Sequence, residues 1–117
     1  MRPEAEGFAR DWIAAWNAQD LAAILSHYAE DIVFVSPAAA RITGDPSGRV
    51  VGKAALAAYW EEALKRAPDL RFTLKSVLKG PDALALRYHS SRTGGEVVEV
   101  LRFGPDGLAV EAAAYYE

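Results

Sequence analysis

The chain has 117 residues, 51% of them hydrophobic and 25% charged, so one domain spanning 1–117 can bury roughly 65% of its unfolded surface, and disordered or low-complexity classes are excluded. No cysteine is present and the only histidines are His27 and His89, which excludes a disulfide framework, a thiolate metal site and a cysteine nucleophile and leaves no metal and no cofactor expected. The net charge of −3 lacks the basic excess of a nucleic-acid reader, no apolar run nears the ~20 residues of a membrane span, and the N-terminus lacks a hydrophobic signal core; the expectation is a cytoplasmic protein with neither nucleic acid nor membrane as partner.

Phe8, Trp12 and Trp16 recur at helical spacing, so residues 4–18 predict a helix with one apolar stripe. Asp20 is suited to cap a second helix over 21–29, with Leu21, Ile24, Leu25 and Tyr28 on one side. Residues 32–36, IVFVS, predict a strand stopped by Pro37. Residues 38–51 contain Gly44, Asp45, Pro46 and Gly48 and read as an irregular loop with a brief strand at Val50–Val51. They are a candidate lid, with Arg41 and Arg49 available to an anionic ligand or simply solvated. No Lys-Ser/Thr follows the glycines, so this is no phosphate-binding loop. A third helix is expected at about 53–66, ended by Pro68.

From residue 70 the period changes to two, and strands are expected at 70–79, 83–92, 96–103 and 108–116. Gly80-Pro81-Asp82, Thr93-Gly94-Gly95 and Gly104-Pro105-Asp106-Gly107 supply the turns. Helices early and strands late give an α+β class. Parity places Leu84, Leu86 and Tyr88 on one face, with Val97, Leu101 and Phe103, and with Val110, Ala112, Ala114 and Tyr116. Arg87, His89, Glu96, Val98, Val100, Arg102, Glu111 and Tyr115 fall on the other. Glu99 violates the pattern by sitting among Val97, Leu101 and Phe103. Its carboxyl either lies at an edge, pairs with an arginine, is turned outward by a bulge, takes up a proton, or lines a cavity.

Three stretches share a further pattern: WNAQDLAAILSHYAEDIVFVSP (16–37), VGKAALAAYWEEAL (51–64) and EVVEVLRFGPDGLAVEAAAYYE (96–117). In combination they resemble the nuclear transport factor 2-like superfamily, in its SnoaL-like and ketosteroid isomerase-like branch. The resemblance implies a curved mixed, mainly antiparallel sheet wrapped around three helices, a cone with an internal pocket, and a homodimer through the outer sheet face. Ketosteroid isomerases use an aspartate base, with a tyrosine and a protonated aspartate at the developing oxyanion. By that resemblance the base position falls on Ser36, which is no general base. The oxyanion tyrosine falls on Trp12, the protonated acid on Glu99, and a supporting helical tyrosine on Tyr28.

Parity and resemblance together give an expected lining of Trp16, Phe34, Ser36, Trp60, Phe72, Leu86, Tyr88, Leu101, Phe103 and Tyr116 around Glu99, Tyr28 and Trp12. The expected ligand is a hydrophobic small molecule. The chemistry implied is acid–base isomerase, cyclase or dehydratase chemistry centred on Glu99, with a non-catalytic binding or dimeric accessory protein as the alternative.

Overall fold

The computed structural model describes residues 2–117. Glu4 opens the first helix by accepting hydrogen bonds from the backbone N–H groups of Glu6 and Gly7, each at 2.8 Å. These satisfy donors that a helix start leaves free. Helix α1 (Ala5–Asn17) buries Phe8, Trp12 and Trp16 on one stripe. Asp20 caps α2 (Leu21–Leu25), accepting from the Ala23 N–H at 3.1 Å.

The second helix is shorter than the sequence predicts, and Tyr28 belongs to strand β1 (Tyr28–Val35). Sheet pairing overrides helical spacing here: Tyr28 is in register with Ala109, whose N–H donates to the His27 carbonyl at 2.9 Å. Pro37 ends the strand but opens a helix. Ser36 Oγ accepts from the Ala39 N–H at 3.2 Å, Pro37 occupies the first turn, and Gly44 closes α3 (Pro37–Thr43) at φ 81°. The expected irregular loop therefore begins with two helical turns, and the helices number four among the described residues.

Strand β2 (Arg49–Val51), helix α4 (Lys53–Arg66) and strands β3 (Phe72–Lys79), β4 (Ala83–Ser90), β5 (Gly95–Phe103) and β6 (Ala109–Tyr116) follow as predicted, within a few residues at the ends. They form one sheet in the order β2-β1-β6-β5-β4-β3, with β1 and β6 parallel and every other pair antiparallel. The α+β class with a curved, mainly antiparallel sheet is thus the architecture. One correction concerns β6. A bulge between Arg102 and Phe103 shifts the register, so Ala109 is buried where the alternation alone placed Val110.

The helices cover the face carrying Leu84, Leu86, Tyr88, Val97, Leu101 and Phe103, all buried. Asn17 pins α1 to the edge strand. Its Nδ2 donates to the Phe72 carbonyl at 2.9 Å, and its Oδ1 accepts from the Phe72 N–H at 2.7 Å. This pair of bonds fixes Trp12 and Trp16 against Phe72, with ring centroids at 5.9 and 5.5 Å.

Gly48 holds the turn into β2. Its φ is 66°, its carbonyl accepts from the Ser36 N–H at 3.0 Å, and a Cβ there would collide with the Ser36 carbonyl oxygen. Gly48→Ala is therefore expected to lose at least about 1 kcal/mol of stability, read by urea unfolding. An unchanged midpoint would show that the turn relaxes freely.

Candidate functional site

Glu99 sits mid-strand in β5, in register with Leu86 of β4 and Ala114 of β6. Its neighbours on both sides keep it away from the sheet edge, and no bulge turns it out. It is 3% exposed. Among the described residues no cation lies within ion-pair distance of it. Its partner is Tyr88, whose hydroxyl donates to Oε1 at 3.1 Å. Burial pushes the Glu99 carboxyl up to about 7, and the Tyr88 bond opposes that only in part. Of the readings open in the sequence, the ion pair, the edge and the outward bulge are ruled out by this placement.

Beside Glu99 is a cavity of about 290 Å³. Eight of the expected residues line it: Trp12, Trp16, Phe34, Trp60, Phe72, Tyr88, Glu99 and Tyr116. Five do not. Leu86, Leu101 and Phe103 are buried in the packed core, Phe103 edge-on to Phe8 at 5.2 Å. Ser36 uses its hydroxyl as the cap of α3 and lies 3.5 Å from the Tyr59 hydroxyl. Tyr28 lies behind the lining, edge-on to Trp60 at 5.1 Å. Its hydroxyl accepts from Trp12 Nε1 at 2.9 Å, so the indole N–H expected to face a ligand is held by Tyr28. Burial foremost, then the nearby Glu99 charge, pushes the Tyr28 hydroxyl well above its ordinary range.

The sequence reading missed Tyr59 as a lining residue, although Leu56, Tyr59, Trp60, Ala63 and Leu64 recur at helical spacing along α4. Burial raises the Tyr59 hydroxyl to about 12. It also missed Ala38 and Ile42 of α3, which reach the cavity beside Arg41, a residue the sequence did offer to an anionic ligand. Arg66 and Arg92 join Arg41 at its lining, whereas Arg49 does not. Trp16 keeps its indole N–H buried without a hydrogen-bond partner among the described residues, beside the edge-on ring of Trp60 at 5.0 Å.

Both histidines lie elsewhere. His89 is on the outer sheet face, 3.6 Å from Glu96. His27 lines a shallow groove with Glu4 and Asp11, edge-on to Phe8 at 4.9 Å, and burial lowers its basicity. Among the described residues no group of three or more potential ligands is placed to hold a metal ion. No helix there is long and apolar enough to cross a membrane.

The fold and this cavity can be set beside known proteins. The SnoaL-like domain profile matches residues 9–112, nearly the whole chain. The chain belongs to the SnoaL-like family. Its fold is similar to that of a SnoaL-like protein of unknown function from Burkholderia thailandensis, at 47% identity and TM-score 0.91, covering 96% of this chain and 92% of that one. It is also similar to AclR, a proposed hydroxylase from Streptomyces galilaeus, at 28% identity and TM-score 0.72 over 96% and 87%. A proposed isomerase of the SnoaL-like family from Agrobacterium tumefaciens shares the fold at 19% identity and TM-score 0.74, with 96% of both chains covered. None of the curated proteins matches the sequence.

The raised Glu99 carboxyl has a consequence for stability. Its proton is held from an ordinary value of 4.5 up to about 7 in the folded chain. The stabilisation is complete below about 4.5 and is lost as pH rises through about 7, a total of about 3 kcal/mol. Glu99→Gln cannot ionise, so its unfolding free energy is expected to lack that decline. Urea titrations between pH 4.5 and 8 compare the two; parallel slopes would place the pH dependence elsewhere.

Proposed function

We propose that this SnoaL-like protein binds a hydrophobic carbonyl compound in the cavity and that Glu99 acts on its oxygen as a hydrogen-bonding and proton-transferring acid. The observation that supports this reading is the placement of the Glu99 carboxyl: one oxygen is held by Tyr88 and the other has no hydrogen-bond partner among the described residues, within an aromatic cavity. Because Tyr88 donates to Oε1, the acid proton belongs on Oε2. A neutral carboxyl in a low-dielectric site is a strong donor to an oxygen that gains charge. If the proton moves to that oxygen, the Tyr88 hydroxyl remains to stabilise the carboxylate left behind.

The chemistry this supports is enolisation or a related isomerase, cyclase or dehydratase step: Glu99 gives its proton to the carbonyl oxygen, a water molecule takes the α-proton, and that proton returns to Glu99 through solvent. Glu99 is the only carboxylate lining the cavity among the described residues, and no histidine lines it. A two-carboxylate scheme of the steroid isomerase kind is therefore not part of the proposal, in keeping with serine at position 36. That same scarcity favours a second reading, a protein that binds such a molecule without transforming it.

The two readings separate with 2-tetralone, a two-ring ketone of suitable size. Its α-protons exchange with deuterated water on enolisation, which proton NMR follows directly. The expected result is saturable acceleration that declines as pH rises through about 7, the value of Glu99, with at least about a hundredfold loss in Glu99→Gln. Binding without acceleration selects the non-catalytic reading. No binding of 2-tetralone or related ketones overturns both.

We also propose that two copies pair through the outer sheet face. Cross-strand register aligns Leu78, Ala85, Val100, Ala113 and Val35 in one apolar row across five strands. Leu78 and the nearby Tyr115 are 58% and 61% exposed. Ion pairs flank the row: Arg87–Glu96 at 2.8 Å on one side and Arg102–Glu111 at 2.8 Å on the other. Val100→Lys at the centre of the row is expected to turn a dimer into a monomer in analytical ultracentrifugation. A monomeric unsubstituted chain would refute the pairing.

A further inference from the structure

The chain is acidic overall, yet the charged groups around the cavity are cationic. Arg41 of α3, Arg66 at the end of α4 and Arg92 in the turn after β4 all line it. The one carboxyl there, Glu99, is buried deep, and burial holds a large share of it protonated at neutral pH, where an exposed glutamate would be fully charged. Arg66 is paired with Glu62 at 2.9 Å. No carboxylate lies within 4.0 Å of Arg41 or Arg92 among the described residues. Arg92 instead lies over the ring of Tyr116, 5.4 Å from its centroid, and both of these side chains line the cavity. Its charge is felt at the Tyr59 hydroxyl on α4.

Two uncompensated guanidinium groups beside an aromatic cavity attract an anion, and the low-dielectric walls strengthen that attraction. The polarity of the cavity is therefore directional. A buried carboxyl lies inside, rings form the walls, and positive charge stands at the exposed side chains.

Resting on the carbonyl-binding reading above, we propose that the natural ligand is a ring-bearing organic acid, seated with its carboxylate on Arg41 and Arg92 and its neutral oxygen at Glu99. The rings lie between Trp12, Trp60 and Phe72. A cavity of about 290 Å³ suits a molecule of two fused rings. The charged end reaches the arginines only if the opposite end points inward, so the same contacts fix which oxygen meets Glu99.

The test compares 6-hydroxy-2-naphthoate with its neutral isostere 6-hydroxy-2-naphthamide, by titration calorimetry on the full chain at low and high salt. The acid is expected to bind at least about tenfold tighter than the amide at low salt, with the difference shrinking as salt rises. The double variant Arg41→Gln/Arg92→Gln is expected to bring the acid down to the affinity of the amide while changing the amide's affinity far less. Arg49→Gln, outside the cavity, is the control and should change neither. Amide and acid binding equally, or an acid affinity unmoved by the double variant, overturns the organic-acid assignment while leaving the hydrophobic cavity reading intact. Failure of both probes to bind overturns the two together.

Discussion

A carboxyl group buried without a counter-ion constrains everything around it. Removing a carboxylate from water costs far more than one neutral hydrogen bond returns, so such a group keeps its proton instead. Glu99 meets this condition in the middle of β5, where strand pairing on both sides prevents it from turning outward. Tyr88 contributes one hydrogen bond and no charge. The surrounding aromatic rings then have two roles. They supply the apolar surface that drives folding, and they keep the dielectric low enough for the proton to stay. Filling the space with further hydrocarbon would leave the second carboxyl oxygen without a partner, whereas a cavity leaves it accessible.

The helices reach this arrangement through specific contacts. The Asn17 side chain bonds both backbone groups of Phe72, which sets how far α1 slides along β3. That register brings Trp12, Trp16, Phe72 and Tyr88 together, the last two rings at 4.4 Å. Trp12 then closes on Tyr28 through a buried hydrogen bond. An indole donor and a phenol acceptor satisfy each other there. Trp12, which family resemblance put at the oxyanion, and the supporting Tyr28 thus form a structural pair, and Glu99 with Tyr88 is left as the hydrogen-bonded polar pair of the cavity.

Much of this was legible in the sequence because it depends on period and parity. The α1 stripe, the limits of α4, the four late strands and the inward Glu99 all follow from residue spacing. What was missed depends on competition between local signals. Pro37 was read as a stop, although Ser36 before it and Gly44 after it are the cap residues of a short helix. Tyr28 fits a helical stripe equally well by spacing, and only pairing with Ala109 decides for the strand. The bulge that buries Ala109 in place of Val110 leaves no trace in alternation. Arg66 and Arg92 were not recognisable as cavity residues, because the sequence does not say where a helix end and a hairpin turn meet in space.

The distribution of charge separates the two faces of the sheet. On the outer face opposite charges sit in cross-strand positions and neutralise one another, as Arg87 with Glu96 and Arg102 with Glu111 do. Exposed pairs of this kind contribute little stability, typically under about 1 kcal/mol each. Around the cavity the arrangement is reversed. Among the described residues no carboxylate pairs with Arg41 or Arg92, and burial holds back the ionisation of the one acid nearby. If Glu99 ionised at low pH like an exposed glutamate, it would partly cancel the arginines through the low-dielectric interior. Its burial therefore weakens that cancellation and holds the proton on the acid to a higher pH, so both effects trace to a single desolvated side chain.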